Sequence, residues 1–536
     1  MADKSLINAL QNRELYDHDI DEFEVIETHI SWVLLTGQYA YKIKKPVNFG
    51  FLNFSSLESR RHYCYEELAL NQRFAPDIYL DVVSIGGTAK NPRLGVEPVF
   101  EYAVKMRQFR QDELLSAIAR HGELGAKHCE QIAEVLADFH ARARPVGYNN
   151  KCGSVQHVLY WVNENFLHIE ALIDDNNDIS RLKKIKQWTE SASRYLSSDM
   201  SMRKKHGFVR ECHGDLHLGN MAYIDQKIVF FDCIEFSRDL RWIDVLNEVA
   251  FVAMDLAERG YDPLSWHFLN GYLQKTGDYA SLALYRYYYV YRAIVRAKVA
   301  LLVTIGVGVS SDKVQEAWLE YRAYIDLSLS QTRKSKPCII LMHGYSGSGK
   351  STIASRLANI VGAIHIRSDV ERKRMFNLEA NASSYSALNT GIYSGQLLAD
   401  VYKQLRVLCR EVGTVGYVAI IDATFLKSSQ RDQFKELAQS MSLPFHIVSV
   451  EAPIGVMKQR LRDRMRKESD PSEATEEVLM AQLRNHDDLT DQERQYAKII
   501  DNSDWVSDEQ LKKISGAFRQ DIAGVLSTKA VADSSA

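Results

Sequence analysis

Two textures of hydrophobic and polar positions divide the chain. In the first, Ser31–Leu35 and Tyr39–Lys44 read as two strands joined by a tight turn, Thr36-Gly37-Gln38. Leu57 to Phe74 reads as a helix closed by Ala75-Pro76-Asp77. Short strands are predicted near Tyr79–Ile85 and Val99–Arg107, with Gly86-Gly87 as a turn between them. From Gln111 to about residue 330 the pattern is mainly helical, broken by an insert at about 208–236 with two short apolar strands. The first texture is thus a small β-rich lobe followed by a large helical lobe.

Residues 331–336, QTRKSK, are polar and basic and read as a linker. Beyond them, apolar runs at Cys338–Met342, Ala363–Ile366, Tyr417–Ile421, Phe445–Val450 and Lys498–Ile500 alternate with helices. That alternation predicts an α/β domain with a parallel sheet. The expected domains are 1–333 and 337–525, with 334–336 ending the linker and 526–536 a small polar tail.

Composition narrows the function classes. A chain of 536 residues is too long for one ordinary core. The net charge of -3 gives no sign of a polyanion or membrane-surface binder. Seven cysteines at irregular spacing form no CxxC pair, which suits free thiols in a reducing compartment. The N-terminal stretch MADKSLINALQNRELYDHD is polar and acidic, unlike a signal peptide. The apolar stretch Val299–Val309 is too short and glycine-broken to span a bilayer. A cytoplasmic location without membrane association is expected.

Residues 344–352, GYSGSGKST, fill every fixed position of G-x-x-x-x-G-K-[ST] between a predicted strand and helix. Gly344, Gly347 and Gly349 let backbone N–H groups curl around phosphates, and Lys350 reaches the β and γ oxygens. Ser351 would ligate Mg²⁺ and Thr352 would touch the α-phosphate. In IRSDVERKRMF, 366–376, Asp369 follows a strand and is the candidate general base for an acceptor hydroxyl. Ser368 or Asp369 could instead cap the next helix. Asp422 ends the strand of VAIIDATF, 418–425, at a Walker-B-like position, and would hold Mg²⁺ through water. In RLRDRMR, Arg460 and Arg464 share a helix face. They are either lid arginines that neutralise the transferred phosphoryl group or a solvated basic face.

These motifs resemble the small P-loop kinases of the gluconate-kinase, zeta-toxin and polynucleotide-kinase type, over about residues 337–500. The resemblance implies a kinase and names no acceptor.

In the first half, HGDLHLGN at 213–220 is followed by FFDCIEF at 230–236. Asp215, Asn220 and Asp232 have the order and spacing of a kinase catalytic Asp and two Mg²⁺ ligands. HGDLHLGN resembles the catalytic loop of aminoglycoside phosphotransferases and of choline, homoserine and fructosamine kinases. The resemblance implies an α+β protein-kinase-like fold, Asp215 as catalytic residue, Asn220 and Asp232 as metal ligands, and His213 as loop support.

Such a site needs an ATP-clamping lysine. Tyr39-Ala40-Tyr41-Lys42 matches the Ala-x-Lys geometry of V-A-I-K, and Lys44 on the same face is the runner-up. Glu67, or else Glu66, would hold it, and the interlobe hinge is expected at Met106–Phe109. Two departures stand out. No glycine-rich loop precedes Lys42, leaving Thr36-Gly37-Gln38 as a poor phosphate cover, and Asp232 lacks the glycine of D-F-G. In YRYYYVYRAIVRAK, 285–298, Arg292 and Arg296 lie one turn apart beneath tyrosines. They would suit an anionic acceptor, but a packed amphipathic helix is the preferred reading.

The sequence therefore reads as a bifunctional kinase using ATP and Mg²⁺ on small-molecule hydroxyl acceptors. Two alternatives stay open. The front half could be a regulatory binding module, or the P-loop half a nucleic-acid 5′-end kinase, which the near-neutral charge does not support.

Overall fold

The computed structural model describes residues 4–48, 52–147, 149–306, 309–333, 337–379, 395–467, 472–516 and 518. The chain forms two compact units, Met1–Asp255 with Tyr287–Ile325, and Leu256–Arg286 with Asp326–Ala536. The domains expected from sequence, 1–333 and 337–525, divide the chain only once; here segment 256–286 belongs with the second unit. The linker end 334–336 and the tail 526–536 lie outside the described residues.

The first unit opens with a six-stranded antiparallel sheet. Its strands are β1 (Glu24–Glu27), β2 (Ser31–Leu35), β3 (Tyr39–Lys44), β4 (Tyr79–Thr88), β5 (Asn91–Leu94) and β6 (Val99–Arg107). Their order is β1-β2-β3-β6-β4-β5. Strand β1, EVIE, is an exposed edge strand with little apolar alternation, which is why the hydrophobic pattern did not reveal it. Ser56 caps the helix Leu57–Asn71 by accepting from the Ser59 N–H at 3.1 Å. That helix packs on β4 and β6 through Cys64, and Tyr79, Val82 and Val104 complete the core there.

Long helices follow, among them Ala126–Arg142, Val155–Glu170, Asn176–Lys205 and Val245–Glu258. Short ribbons of β7 (Val209–Glu211) with β10 (Trp242–Asp244), and of β8 (Met221–Ile224) with β9 (Lys227–Phe230), interrupt them. In the helix Leu282–Thr304, Tyr287, Tyr288, Tyr289 and Tyr291 are buried, so the tyrosine band is core. This is the α+β protein-kinase-like arrangement expected, a small β-rich lobe followed by helices.

The second unit holds a five-stranded parallel sheet ordered β12-β13-β11-β14-β15. The strands are β11 (Ile339–His343), β12 (Ala363–Arg367), β13 (Val418–Asp422), β14 (Phe445–Glu451) and β15 (Ala497–Asp501), within about a residue of each predicted limit. Central β11 is apolar on both faces, as a parallel strand covered on both sides must be. The edge strand β12 meets the helix Asp262–Thr276. There the Asn270 amide donates to Ala363 O at 2.9 Å and accepts from His365 N at 2.8 Å, while Gln274 donates to His365 O at 3.2 Å. These side chains stand in for the missing strand and close an otherwise open edge.

Candidate active sites

The first site gathers around β3. Lys42 and Lys44 lie two apart on one face and share Glu67, Lys42 Nζ at 2.8 Å from Oε1 and Lys44 Nζ at 2.6 Å from Oε2. Lys42 also pairs with Asp232, and Lys44 with Glu235. Burial would raise the Glu67 carboxyl pKa, but the two ammonium groups hold it below the usual range. Burial likewise opposes the charge on Lys42, yet Asp232 and Glu67 keep its pKa above that of ordinary lysine. Glu66, the other candidate, reaches Arg241 instead at 3.5 Å.

The Thr36-Gly37-Gln38 turn is not placed to cover phosphates. It joins β2 to β3 at the Tyr39 end, where Gln108 accepts from the N–H groups of Thr36 and Gly37 at 3.0 and 2.9 Å. Gln108 lies in the segment expected to be the hinge. At the Lys44 end the turn between β1 and β2 is Thr28-His29-Ile30, without glycine. Lys45 N donates to Ile30 O there at 2.7 Å.

The catalytic loop is held from behind. Gly214 has φ 91°, and a Cβ there would sit 3.0 Å from Leu240 O. Its N–H donates to Glu248 Oε1 at 2.7 Å, and its carbonyl accepts from Arg292 Nη1 at 2.9 Å. Arg292 also donates to Asn247 Oδ1 at 2.6 Å, so it supports the loop and is not available to an acceptor. His213 Nε2 bonds Phe231 O at 2.8 Å, giving the support expected of it. Asp215 keeps 40% of its side-chain surface, with His217 Nε2 3.6 Å from Oδ2. Desolvation would raise its pKa, but His217 and Arg296 hold it well below the usual carboxylate range, so it is ionised at neutral pH. Arg296 itself donates to Tyr324 Oη and pairs with Glu320, each at 3.3 Å.

The β8–β9 ribbon returns the chain so that Phe231 N donates to Asn220 O at 3.1 Å, which sets Asp232 next to the loop. Asp232 has φ 62°, strained for a residue with a side chain. The Tyr79 hydroxyl accepts from its N–H at 3.1 Å and Asn71 from that of Cys233 at 2.8 Å, and these bonds pin the turn without a D-F-G glycine. Asn220 spends its amide nitrogen on Asp215 O at 2.9 Å, and its side-chain oxygen and the Asp232 carboxylate are the oxygen donors that these two residues offer. An all-oxygen pair of this kind fits Mg²⁺.

In the second unit, Gly344–Thr352 leads from β11 into the helix Lys350–Val361. Gly349 has φ 90°, and a Cβ there would fall 2.2 Å from Asn502 Nδ2. Lys350 Nζ donates to Tyr345 O at 3.4 Å. Register sets Asp422 opposite Met342 on one side and Arg367 on the other, at the C-terminal ends of the parallel strands. His365 Nε2 lies 3.2 Å from Asp422 Oδ2. Burial would raise the Asp422 pKa, but His365, Arg367 and Lys350 bring it to about 2. With the Ser351 hydroxyl, it offers Mg²⁺ hard oxygen donors.

Asp369 lies in the first turn of the helix Ser368–Met375, whose N-cap is Arg367 and carries no side-chain cap bond. Capping is therefore not its role. Arg372 Nη1 is 2.9 Å from its Oδ1. Burial would raise its pKa, but Arg372, Arg367 and Lys350 lower it. Asp369 and Asp422 thus share the field of Lys350. Arg460 turns to the backbone, donating to Ser348 O at 3.1 Å and Asn502 O at 2.8 Å, so it braces the P-loop. Arg464, one turn on in the helix Ile454–Lys467, is half-buried.

A family model described as an AAA domain matches residues 339–489, which include the P-loop, Asp369 and Asp422. Over 463 residues the chain is 30% identical to uncharacterized protein Rv2004c of Mycobacterium tuberculosis and to uncharacterized protein Mb2027c of Mycobacterium bovis. The match spans 85% of this chain and 89% of each relative. The chain belongs to the same family as these mycobacterial proteins. Among solved structures, a choline/ethanolamine kinase family protein from Mesorhizobium loti aligns at 10% identity and TM-score 0.39, covering 62% of this chain and 98% of that one. A gluconokinase from Sinorhizobium meliloti aligns at 20% identity and TM-score 0.25, covering 37% and 99%. Among the described residues no helix is long and apolar enough to cross a membrane.

Several residues of these sites were not found from sequence. Glu235, Glu248, Tyr79, Asn71 and Asp255, whose Oδ2 accepts from Leu218 N at 2.8 Å, all support the first site. Two lysines on one strand face needed more than one carboxylate, and that was a signal for Glu235. The others are single polar positions whose partners lie far away in sequence, and they carried none. In the second unit, Gln482 and Asn502 were missed for the same reason.

Proposed function

We propose that the chain is an ATP-dependent phosphotransferase with two sites, each moving the ATP γ-phosphoryl group to a hydroxyl of a small-molecule acceptor. One feature common to both units carries the reading: a lysine of the phosphate-binding type lies in the field of an aspartate suited to metal, while a second ionised aspartate stands ready for the acceptor. In the first unit these are Lys42, Asp232 and Asp215; in the second, Lys350, Asp422 and Asp369. Phosphoryl transfer asks a protein for positioning and charge neutralisation, which is what these groups offer. Asn220 with Asp232, and Ser351 with Asp422, would hold Mg²⁺, which neutralises phosphate oxygens. Asp215 and Asp369 accept the hydrogen bond of the acceptor hydroxyl, orient it and take its proton. Arg464 is assigned to the charge that builds on the transferred group. A cytoplasmic location fits this use of ATP.

The test is acceptor-stimulated ADP release by the full chain against sugars, nucleosides, aminoglycosides and 5′-OH oligonucleotides, repeated with Asp215→Ala and Asp369→Asn. Each stimulating acceptor should lose its effect in one variant and keep it in the other. Stimulation that survives both variants, or none from any acceptor class, refutes the proposal. Oligonucleotide stimulation that requires Asp369 would make the second unit a nucleic-acid end kinase.

A second reading, the first unit as a binding module, is favoured by one observation. Lys42 sits on Asp232 itself, and the Thr28-His29-Ile30 turn at the Lys44 end of β3 has no glycine. A Lys350→Ala chain that binds no MgATP at millimolar nucleotide would establish it.

A further inference from the structure

The tip of the P-loop is gripped from outside by two helices that the motif does not include. In the helix Glu476–Arg484, Leu479 and Leu483 pack with Met457 and Leu461 of the helix Ile454–Lys467, and with Tyr345 of the loop. Gln482 lies on that same face, three residues after Leu479. Its Oε1 accepts from Ser346 N at 2.9 Å and its Nε2 donates to Ser346 Oγ at 3.0 Å. The peptide that joins Tyr345 to Ser346 is therefore held at both ends. Gln482 takes its N–H, and Lys350 Nζ meets its carbonyl at 3.4 Å. Nearby, a Cβ on Gly347 would fall 2.6 Å from Met457 O, so the helix backbone lies directly against the loop.

We infer that Gln482 is a positioning residue: it fixes the Tyr345–Ser346 peptide, and through it the Lys350 ammonium that serves the β and γ phosphates. The inference rests on the second unit being a nucleotide-binding phosphotransferase. A lone amide satisfies both bonds only in this orientation, because Ser346 presents one obligate donor and one hydroxyl. A glutamate could accept from both and keep the geometry, but it adds a negative charge to a phosphate site. An alanine removes both bonds and adds no charge.

The two substitutions separate positioning from packing. MgATP and MgADP are titrated calorimetrically into the full chain and into its Gln482→Ala and Gln482→Glu variants. Heat that remains in the Lys350→Ala chain is subtracted, which isolates the second site. Gln482→Ala should weaken both nucleotides about tenfold, since Lys350 loses its set point for ADP and ATP alike. Gln482→Glu should leave MgADP within about threefold, yet weaken MgATP about tenfold, because ATP carries the additional phosphate charge. That loss should shrink as salt rises. Equal losses of ADP and ATP in both variants, or none in either, overturn the inference, as would a fall in Gln482→Glu affinity that salt does not change. A wild-type chain that binds no nucleotide dependent on Lys350 overturns the function of the unit, and the inference with it.

Discussion

The two units handle phosphate in opposite ways. The second builds its cradle from nine consecutive residues, Gly344–Thr352, with backbone donors and one lysine. The first draws its charged groups from positions 42, 44, 67, 232 and 235 and locks them into a network of two ammonium and three carboxylate groups, buried except at Asp232. A local cradle depends on loop shape, and its supports are hydrogen bonds to backbone. A dispersed network depends on charge balance, so that removing one member leaves the rest uncompensated in low dielectric. The difference separates chemistry from stability in the second unit and entangles them in the first.

The largest effects should come from the acceptor-side aspartates. Asp215→Ala and Asp369→Asn should each lower turnover at their own site by about 10²–10⁴-fold while MgATP affinity stays nearly intact. Turnover with a stimulating acceptor, set beside calorimetric MgATP binding, checks this. A parallel loss of binding in either variant would make that aspartate part of the nucleotide site and weaken the likeness between the units.

Glu67→Ala bears directly on the contrast. It leaves Lys42 and Lys44 buried without their shared partner, and should destabilise the first unit by about 3–5 kcal/mol. Lys350→Ala, which removes a group bonded to a backbone carbonyl, should cost the second unit far less. Hydrogen exchange localised to Leu57–Asn71 and to Lys350–Val361 separates the two responses. Similar protection losses would mean that the first network is no more demanding than the P-loop.

The same contrast governs what could be read from sequence. GYSGSGKST, Asp369 and Asp422 were legible because each ends or follows a buried strand, and the parallel order brings strand ends together. HGDLHLGN and Asp232 were legible for a similar reason, since a tight ribbon joins them. Glu248 was not, and Arg292 was marked by its helical spacing to Arg296 but not as a support of the loop, because each reaches Gly214 from a helix distant in sequence. Thr36-Gly37-Gln38 reads as a poor phosphate cover from sequence, and its place at the Tyr39 end of β3 shows why. The membership of 256–286 in the second unit was hidden for another reason. Asn270 and Gln274 imitate a strand edge from a helix, and no periodicity records that.

That edge gives the next prediction. Asn270→Ala leaves Ala363 O and His365 N without their side-chain partner, at a cost of about 1–3 kcal/mol. Faster exchange should be confined to β12 and its neighbour β13. A fragment beginning at residue 337 lacks this cover, so the P-loop sheet should be less soluble alone than when 256–286 is retained. Equal solubility would mean that the second unit is complete after residue 337.

The smallest effect tests whether the local cradle has any electrostatic burden of its own. His343 ends β11 directly before Gly344, and its Nδ1 lies 2.9 Å from Ser449 Oγ. Burial, with Arg431 close by, pushes its pKa down to about 4 from 6.5. The unfolded chain therefore takes up this proton first as the solution is acidified. Stability from this group is complete above about pH 6.5 and falls as the pH drops toward 4. Between pH 7 and 5.5 the loss should be about 1 kcal/mol. His343→Gln, which stays neutral, should make that part of the second unit's stability curve shallower, read from exchange in β11 and β14. Burial also lowers the pKa of His213 in the first unit and of His365 in the second, so each adds a slope of the same sign, and His343→Gln removes only its own share. A slope unchanged in His343→Gln would place the titrating group elsewhere and leave the P-loop site without a proton-linked element at the end of β11.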